Sequence, residues 1–329
     1  MSRVLDMGKF APDDDGPIRS AATIVNQRYG PVRWLVRGII PCEGVSMIVA
    51  PPKAGKSIFI MNIAISNCLP DRILDYREAP DRSLDILYLD LESTGRRTQY
   101  RISGILGNRP IPNHLLIADK WDRFGEGGDV ELRHWLDGNP CDMVIIDTLG
   151  RIQAATPGTQ STSYALDHRK IETFQNISSE YDVGILLVHH TRKATAEDWV
   201  DMVSGSNGIS GTLDTVMFLS RKRGATNGIL HVTGRDVEEE AYVVAADFGT
   251  FRWRIKGTLD EVNSGLTENR QLIMNCLRGH KGELSPAEIS NMTGQTIDSV
   301  KYHLANLFAL GAILRPNYGK YVERNQWGL

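Results

Sequence analysis

Cysteine is scarce in this chain of 329 residues. The four present, Cys42, Cys68, Cys141 and Cys276, are scattered, and none stands in a Cys-x-x-Cys pair. That spacing excludes a zinc ribbon and a disulfide framework, so reduced thiols in a cytoplasmic protein are expected. Long apolar runs are missing too. The stretch 58–69 is too short to cross a bilayer and carries Asn62 and Asn67. No secretory pattern opens the chain, so a membrane partner is not expected. Net charge is also small, −3, which argues against a strongly basic nucleic-acid coat but leaves room for a local basic channel. Internal repeats are absent. What remains is a chain, 41% hydrophobic, long enough for one substantial core and a smaller domain.

The most informative stretch is Val45 to Ser57, VSMIVAPPKAGKS. An apolar strand runs into a tight loop ending Gly55-Lys56-Ser57, and an apolar helix-like run follows. Phosphate binding needs inward-facing amides at a helix start, where the helix dipole also favours negative charge. Gly55 allows close backbone approach, Lys56 supplies a compact cation for the β- and γ-phosphates, and Ser57 offers a hydroxyl to Mg²⁺. The usual G-x-x-x-x-G-K-[ST] pattern is broken at its first position by Ala50. Pro51 and Pro52 lack N–H groups, so the cradle falls to the amides of Lys53, Ala54, Gly55, Lys56 and Ser57. Ile58 closes the candidate nucleotide-binding segment.

Around it, short β-branched apolar strands at 45–50, 86–91, 115–118, 143–147 and 184–189 alternate with helical patterns. Such strands are covered on both faces, and the alternation predicts an α/β doubly wound, mainly parallel sheet. Four further strands, 212–219, 228–233, 241–246 and 251–255, are expected as antiparallel additions at its edge. The predicted layout is an N-terminal arm (1–30), an α/β domain carrying the phosphate loop (31–257), a linker (258–267) and a C-terminal domain (268–329). That last part reads as helices at 268–278, 286–292 and 296–310 followed by a hairpin at 313–323, a winged helix-turn-helix, with Ser285 and Pro286 opening its second helix.

Cleaving a phosphoanhydride also needs a metal organiser, a water activator and a sensor of the γ-phosphate. Asp147 ends the strand MVIID, where a carboxylate can hold Mg²⁺. Glu92 lies just past the tip of ILYLDL and can polarise the attacking water. Asp90, two residues earlier, is its rival. His189 and His190 end the strand GILLV, where they can contact the γ-phosphate and relay its presence.

Taken together, APPKAGKS, LYLDLES, VIIDTLGR, LLVHHTRK, SGSNGISGTLDTVMFL and VTGRDVEEE resemble the RecA-like ATPases, and among them the RepA-type hexameric replicative helicases of plasmids and phages. The resemblance spans about 34–255. It implies Glu92 rather than Asp90 as catalytic base, Asp147 in the second metal-organising motif, and His190 or His189 as sensor. It makes Arg235 an arginine finger for a neighbouring subunit, with Arg192 and Lys193 as rivals. It also implies a ring, with ATP at each interface. Single-stranded DNA would thread a central channel lined by loops 150–163 and 191–211, where Arg151, Arg192 and Lys193 meet its backbone. Trp199 is the one obvious stacking aromatic there.

In the C-terminal module the expected groove-facing residues are Thr296, Asp298, Ser299, Lys301 and Tyr302, with Lys320 and Arg324 on the hairpin for phosphates. Near charge balance leaves duplex DNA and a protein partner equally open. Two functions follow: a ring-forming helicase of a mobile element, or an ATP-switched DNA-binding regulator or replication initiator.

Overall fold

The computed structural model describes residues 19–28, 30–69, 71–153, 163–191, 199, 212–263, 268–280, 282–309, 312–317 and 319–323. The side chains of 163–170, 263, 268, 306 and 309 are outside that description. Residues before Trp34 form a unit of their own. In it α1 (Ala21–Asn26) starts at Ser20, whose hydroxyl accepts the Thr23 amide at 3.0 Å.

From Trp34 the chain runs through β1 (Trp34–Val36), β2 (Ile40–Pro41), β3 (Val45–Ala50), α2 (Lys56–Cys68), β4 (Ile86–Asp90), α3 (Gly95–Leu106), β5 (Leu115–Ala118), α4 (Gly128–Gly138) and β6 (Met143–Asp147). Next come α5 (Leu149–Ile152), α6 (Ser163–Tyr181), β7 (Gly184–His190), β8 (Thr215–Ser220), β9 (Asn227–Gly234), β10 (Glu240–Asp247), β11 (Arg252–Thr258) and α7 (Leu259–Asn263). Nine of these strands make one sheet in the order β11-β10-β9-β8-β3-β7-β6-β4-β5. The run from β8 to β5 is parallel, and β9, β10 and β11 are antiparallel. The α/β fold with an antiparallel edge is thus the one expected. One strand differs. The sequence pattern puts 212–219 among the antiparallel additions, but the strand observed there, β8, pairs parallel with β3 through Ser46 and Thr215. Its burial explains this, because five of its six residues are shielded on both faces.

Period-two alternation sorts the strands between two cores. Ile48 and Ala50 of β3, Met143 and Ile145 of β6, and Leu186 and Val188 of β7 join Phe59, Ile60 and Ile63 of α2 on one face. Val45, Met47 and Val49, with Val144, Ile146, Ile185 and Leu187, join Ile171, Phe174 and Ile177 of α6 on the other. Each fully buried Ile or Leu contributes about 1.5–3 kcal/mol. The sheet is therefore a rigid plate that fixes the strand tips carrying the candidate site.

The C-terminal segment folds as α8 (Glu268–Gly279), α9 (Pro286–Thr293), α10 (Ile297–Ala309), β12 (Ile313–Asn317) and β13 (Lys320–Glu323). These are the three helices and hairpin read from the sequence. They share a core of their own around Ile273, Leu277, Ile289, Val300, Leu304 and Leu307. Ser285 and Glu288 form a reciprocal capping box at the start of α9. Arg278 of α8 lies 5.5 Å from the Tyr76 ring and pairs with Glu323 at 2.7 Å and Glu261 at 3.8 Å.

Candidate functional site: a phosphate loop at the strand tips

β3 delivers the chain to the loop at Ala50, in register with His190 of β7. The loop then requires left-handed backbone at two positions, Lys53 (φ +68°) and Gly55 (φ +100°). At Gly55 a side chain is excluded twice over, because a Cβ there would lie 2.7 Å from Trp253 Cζ2. The Pro51 carbonyl accepts the Ala54 amide at 3.2 Å, and the Gly55 carbonyl accepts the Phe59 amide at 2.9 Å. The amides of Lys56 and Ser57 open α2, so neither has an intrahelical partner. This is an anion cradle at a helix start.

Arg221 holds the loop from behind. Its guanidinium donates to the carbonyls of Ala54 (2.8 Å), Lys53 (2.8 Å) and Ala225 (2.6 Å), and it stacks 4.6 Å from the Phe248 ring. Sequence reasoning missed it. The signal was the basic run Arg221-Lys222-Arg223 directly after a buried strand.

Lys56 is buried, and its Nζ lies 2.8 Å from His190 Nδ1. Burial lowers the Lys56 pKa, and Asp147 and Glu92 oppose that shift. His190 also faces Glu92, with Nε2 3.5 Å from Oε2, while the Thr148 hydroxyl donates to Glu92 Oε1 at 3.0 Å. Burial alone would raise the Glu92 pKa, but Thr148, His190 and Lys56 outweigh it and hold the carboxyl below its usual value. Of the two adjacent histidines, His190 is the one brought to Lys56, and strand alternation turns His189 to the opposite face.

Asp147 is buried, accepting from the Tyr88 hydroxyl at 3.1 Å through Oδ2. Burial pushes its carboxyl pKa up, partly countered by a hydrogen bond from Ser57. Its Oδ1 has no hydrogen-bond partner among the described residues. An orphaned buried carboxylate oxygen beside the Ser57 hydroxyl fits a hard divalent cation such as Mg²⁺, which takes few protein ligands beside water and phosphate oxygens. Among the described residues no cluster of three or more His, Cys, Asp or Glu could hold a metal by itself. Asp90 is fully engaged, with Oδ1 accepting the Ser93 amide at 3.2 Å and Oδ2 the Thr98 hydroxyl at 2.5 Å. It anchors the start of α3, whereas Glu92 stays beside Lys56.

The other expected residues lie elsewhere. Arg235 follows β9, and its amide and guanidinium meet Asp214, which in turn accepts the Val45 amide at 2.8 Å. This is the opposite end of β3 from the loop, so Arg235 does not serve its own chain's phosphate site. Arg151 is exposed on α5. Trp199 stacks on His231, with centroids 5.5 Å apart, and on Phe218. Lys301 is exposed on α10, but Lys320 is tied to Glu288 at 2.8 Å. Arg192, Lys193, Arg324 and most of the two channel loops lie outside the described residues. No helix among the described residues is long and apolar enough to cross a membrane.

No curated protein matches this sequence. Several solved structures do resemble the fold. A DnaB-like replicative helicase, in a structure describing its interactions with primase, is 13% identical with a TM-score of 0.51, over 71% of this chain and 66% of that one. A solved ATPase domain is 14% identical, TM-score 0.48, over 64% and 84%. The RadB recombinase is 12% identical, TM-score 0.46, over 67% and 91%. The AAA domain family matches residues 19–196, more than half of the sequence. With that match, the phosphate loop at the tip of β3 and the parallel sheet behind it, the chain belongs to the AAA domain family and is a P-loop ATPase.

Proposed function

We propose that this chain hydrolyses Mg²⁺·ATP to drive a homo-oligomeric ring, a hexamer, along single-stranded DNA as a replicative helicase of a plasmid, phage or other mobile element. The carrying observation is the cluster around Lys56: Ser57 with the free oxygen of Asp147 on one side, and Glu92 with Thr148 and His190 on the other. Lys56 and the α2 amides hold the phosphates, while Ser57 and Asp147 hold the cation, which neutralises phosphate charge when bound. Glu92, kept ionised, orients water for attack, and His190 links Lys56 to Glu92 so that phosphate occupancy is felt at the base. Arg235, remote from its own loop, serves the neighbouring subunit.

The proposed layout keeps 1–30 as arm, 31–257 as motor, 258–267 as linker and 268–329 as a winged helix. The separate core of the last segment and the pairing of Lys320 with Glu288 favour a protein partner over duplex DNA for this module. A second reading, an ATP-switched initiator or loader, rests on that same module. The test is ATP turnover with and without single-stranded DNA, together with strand displacement on a forked duplex. Stimulation and unwinding are expected. Turnover indifferent to DNA, or a lasting monomer with ATP analogue and DNA, would sink the helicase reading.

A further inference from the structure

The antiparallel edge strand β11 carries a residue that none of the roles above uses. Trp253 is 3% exposed, and the six-membered edge of its indole lies against Gly55, the pivot of the phosphate loop. Phe59, one turn into α2, meets it edge-on at 5.4 Å, and Phe248 does so at 6.3 Å. Asn62 locks the arrangement. Its Oδ1 accepts the Trp253 amide at 3.2 Å, and its Nδ2 donates to the Phe251 carbonyl at 2.7 Å. The ring therefore cannot retreat from the loop without breaking the staple between β11 and α2.

Amid this packing, the indole Nε1–H is buried with no hydrogen-bond partner among the described residues. A buried tryptophan N–H ordinarily finds an acceptor, because leaving it unmade wastes its desolvation. The neighbouring loop carbonyls are already committed: Lys53 and Ala54 to Arg221, Gly55 to Phe59. Packing and an orphan donor thus coincide at the segment proposed to hold phosphate.

We infer that Trp253 is a positioning residue for the phosphate loop, and that its indole N–H gains an acceptor when nucleotide fills the loop. That acceptor is an oxygen of the nucleotide or of the loop backbone displaced by it. Trp253 sets the conformation of Gly55 from outside the motif, and nucleotide binding satisfies the donor. This inference rests on the ATP-binding reading of the same loop.

The experiment uses the full chain labelled with 5-fluorotryptophan. Its six tryptophans give separate ¹⁹F resonances, and Trp253→Phe identifies the one of interest. On titration with a non-hydrolysable ATP analogue and Mg²⁺, the Trp253 resonance is expected to move with saturation. Trp253→Phe keeps an aromatic edge against Gly55 but deletes the N–H. It should raise KM for ATP by about three- to tenfold, the range of one ordinary hydrogen bond, with kcat within about twofold. A merely structural tryptophan predicts lost stability with an unchanged KM, and that result, or a resonance unmoved at saturation, overturns the inference. If Trp253→Phe fails to fold, assignment passes to Trp253→Tyr and the ¹⁹F titration of the parent alone decides. A melting temperature raised by the analogue alongside an unmoved resonance sinks only this inference, whereas no rise at all also sinks the ATPase reading.

Discussion

Glu92→Gln separates the two carboxylates at the end of β4, and the structure sets the size of the effect. Glu92 receives the Thr148 hydroxyl on Oε1 at 3.0 Å and faces His190 with Oε2 at 3.5 Å. Glutamine has the same shape and its carbonyl can still accept from Thr148, so folding and ATP affinity should hold. What disappears is the negative charge that makes the group a base. General-base assistance is worth about 10²–10⁴-fold in rate, so single-turnover hydrolysis should fall by that factor while analogue binding stays within about threefold. Asp90→Asn is the control. Asp90 is buried and both its oxygens are engaged at the start of α3. Its neutral variant should lose about 1–3 kcal/mol of stability and keep turnover per folded molecule. The Glu92 pKa is held below its usual value, so the base stays ionised across neutrality. Activity is present above the ordinary carboxylate range and falls only as pH drops through the depressed value. Rapid-quench hydrolysis across pH, beside chemical denaturation of both variants, reads all of this. Parent-like turnover in Glu92→Gln, or lost turnover with intact stability in Asp90→Asn, would refute the assignment.

Three other substitutions test the rest of the site. Lys56→Ala removes the buried ammonium at the head of α2, so ATP with Mg²⁺ should raise the parent's melting temperature in thermal-shift measurements and leave the variant's unchanged. Arg221→Ala releases the carbonyls of Lys53 and Ala54. Because the guanidinium is partly exposed, the cost should stay near 1–2 kcal/mol, read as about tenfold weaker analogue binding by calorimetry. Arg235→Ala should be inactive alone and regain ATPase activity when mixed with Lys56→Ala chains, since one supplies the loop and the other the finger. Full activity of the pure Arg235 variant rules that finger out.

The parts of this molecule legible in its sequence are those fixed by short-range chemistry. A buried parallel strand is mostly apolar on both faces, and a loop that closes on glycine, lysine and a hydroxyl at a helix start has the chemistry to hold phosphate. VSMIVAPPKAGKS therefore declared both fold class and ligand. Asp147 and His190 were legible for a related reason: a polar residue closing an apolar strand sits where parallel strands present their tips. Glu92 against Asp90 was not decidable from spacing, because Asp90 closes β4 and Glu92 stands only two residues past it. The choice depends on Thr98, eight residues on along α3, which consumes the Asp90 carboxylate. The roles of Arg221 and Trp253 were not legible for the opposite reason, distance. These residues stand 167 and 198 residues beyond Ala54 and Gly55, respectively, Arg221 just after β8 and Trp253 on the edge strand β11. The departures from the usual loop pattern make that support intelligible. With Ala50, Pro51 and Pro52 in its first half, the loop has fewer amides and no early glycine to shape it. Its conformation is imposed from outside, by a guanidinium on its carbonyls and an indole against its pivot. A motif search reads the half of the site that touches phosphate, and the half that holds the motif in shape is written far along the chain, after β8 and on β11.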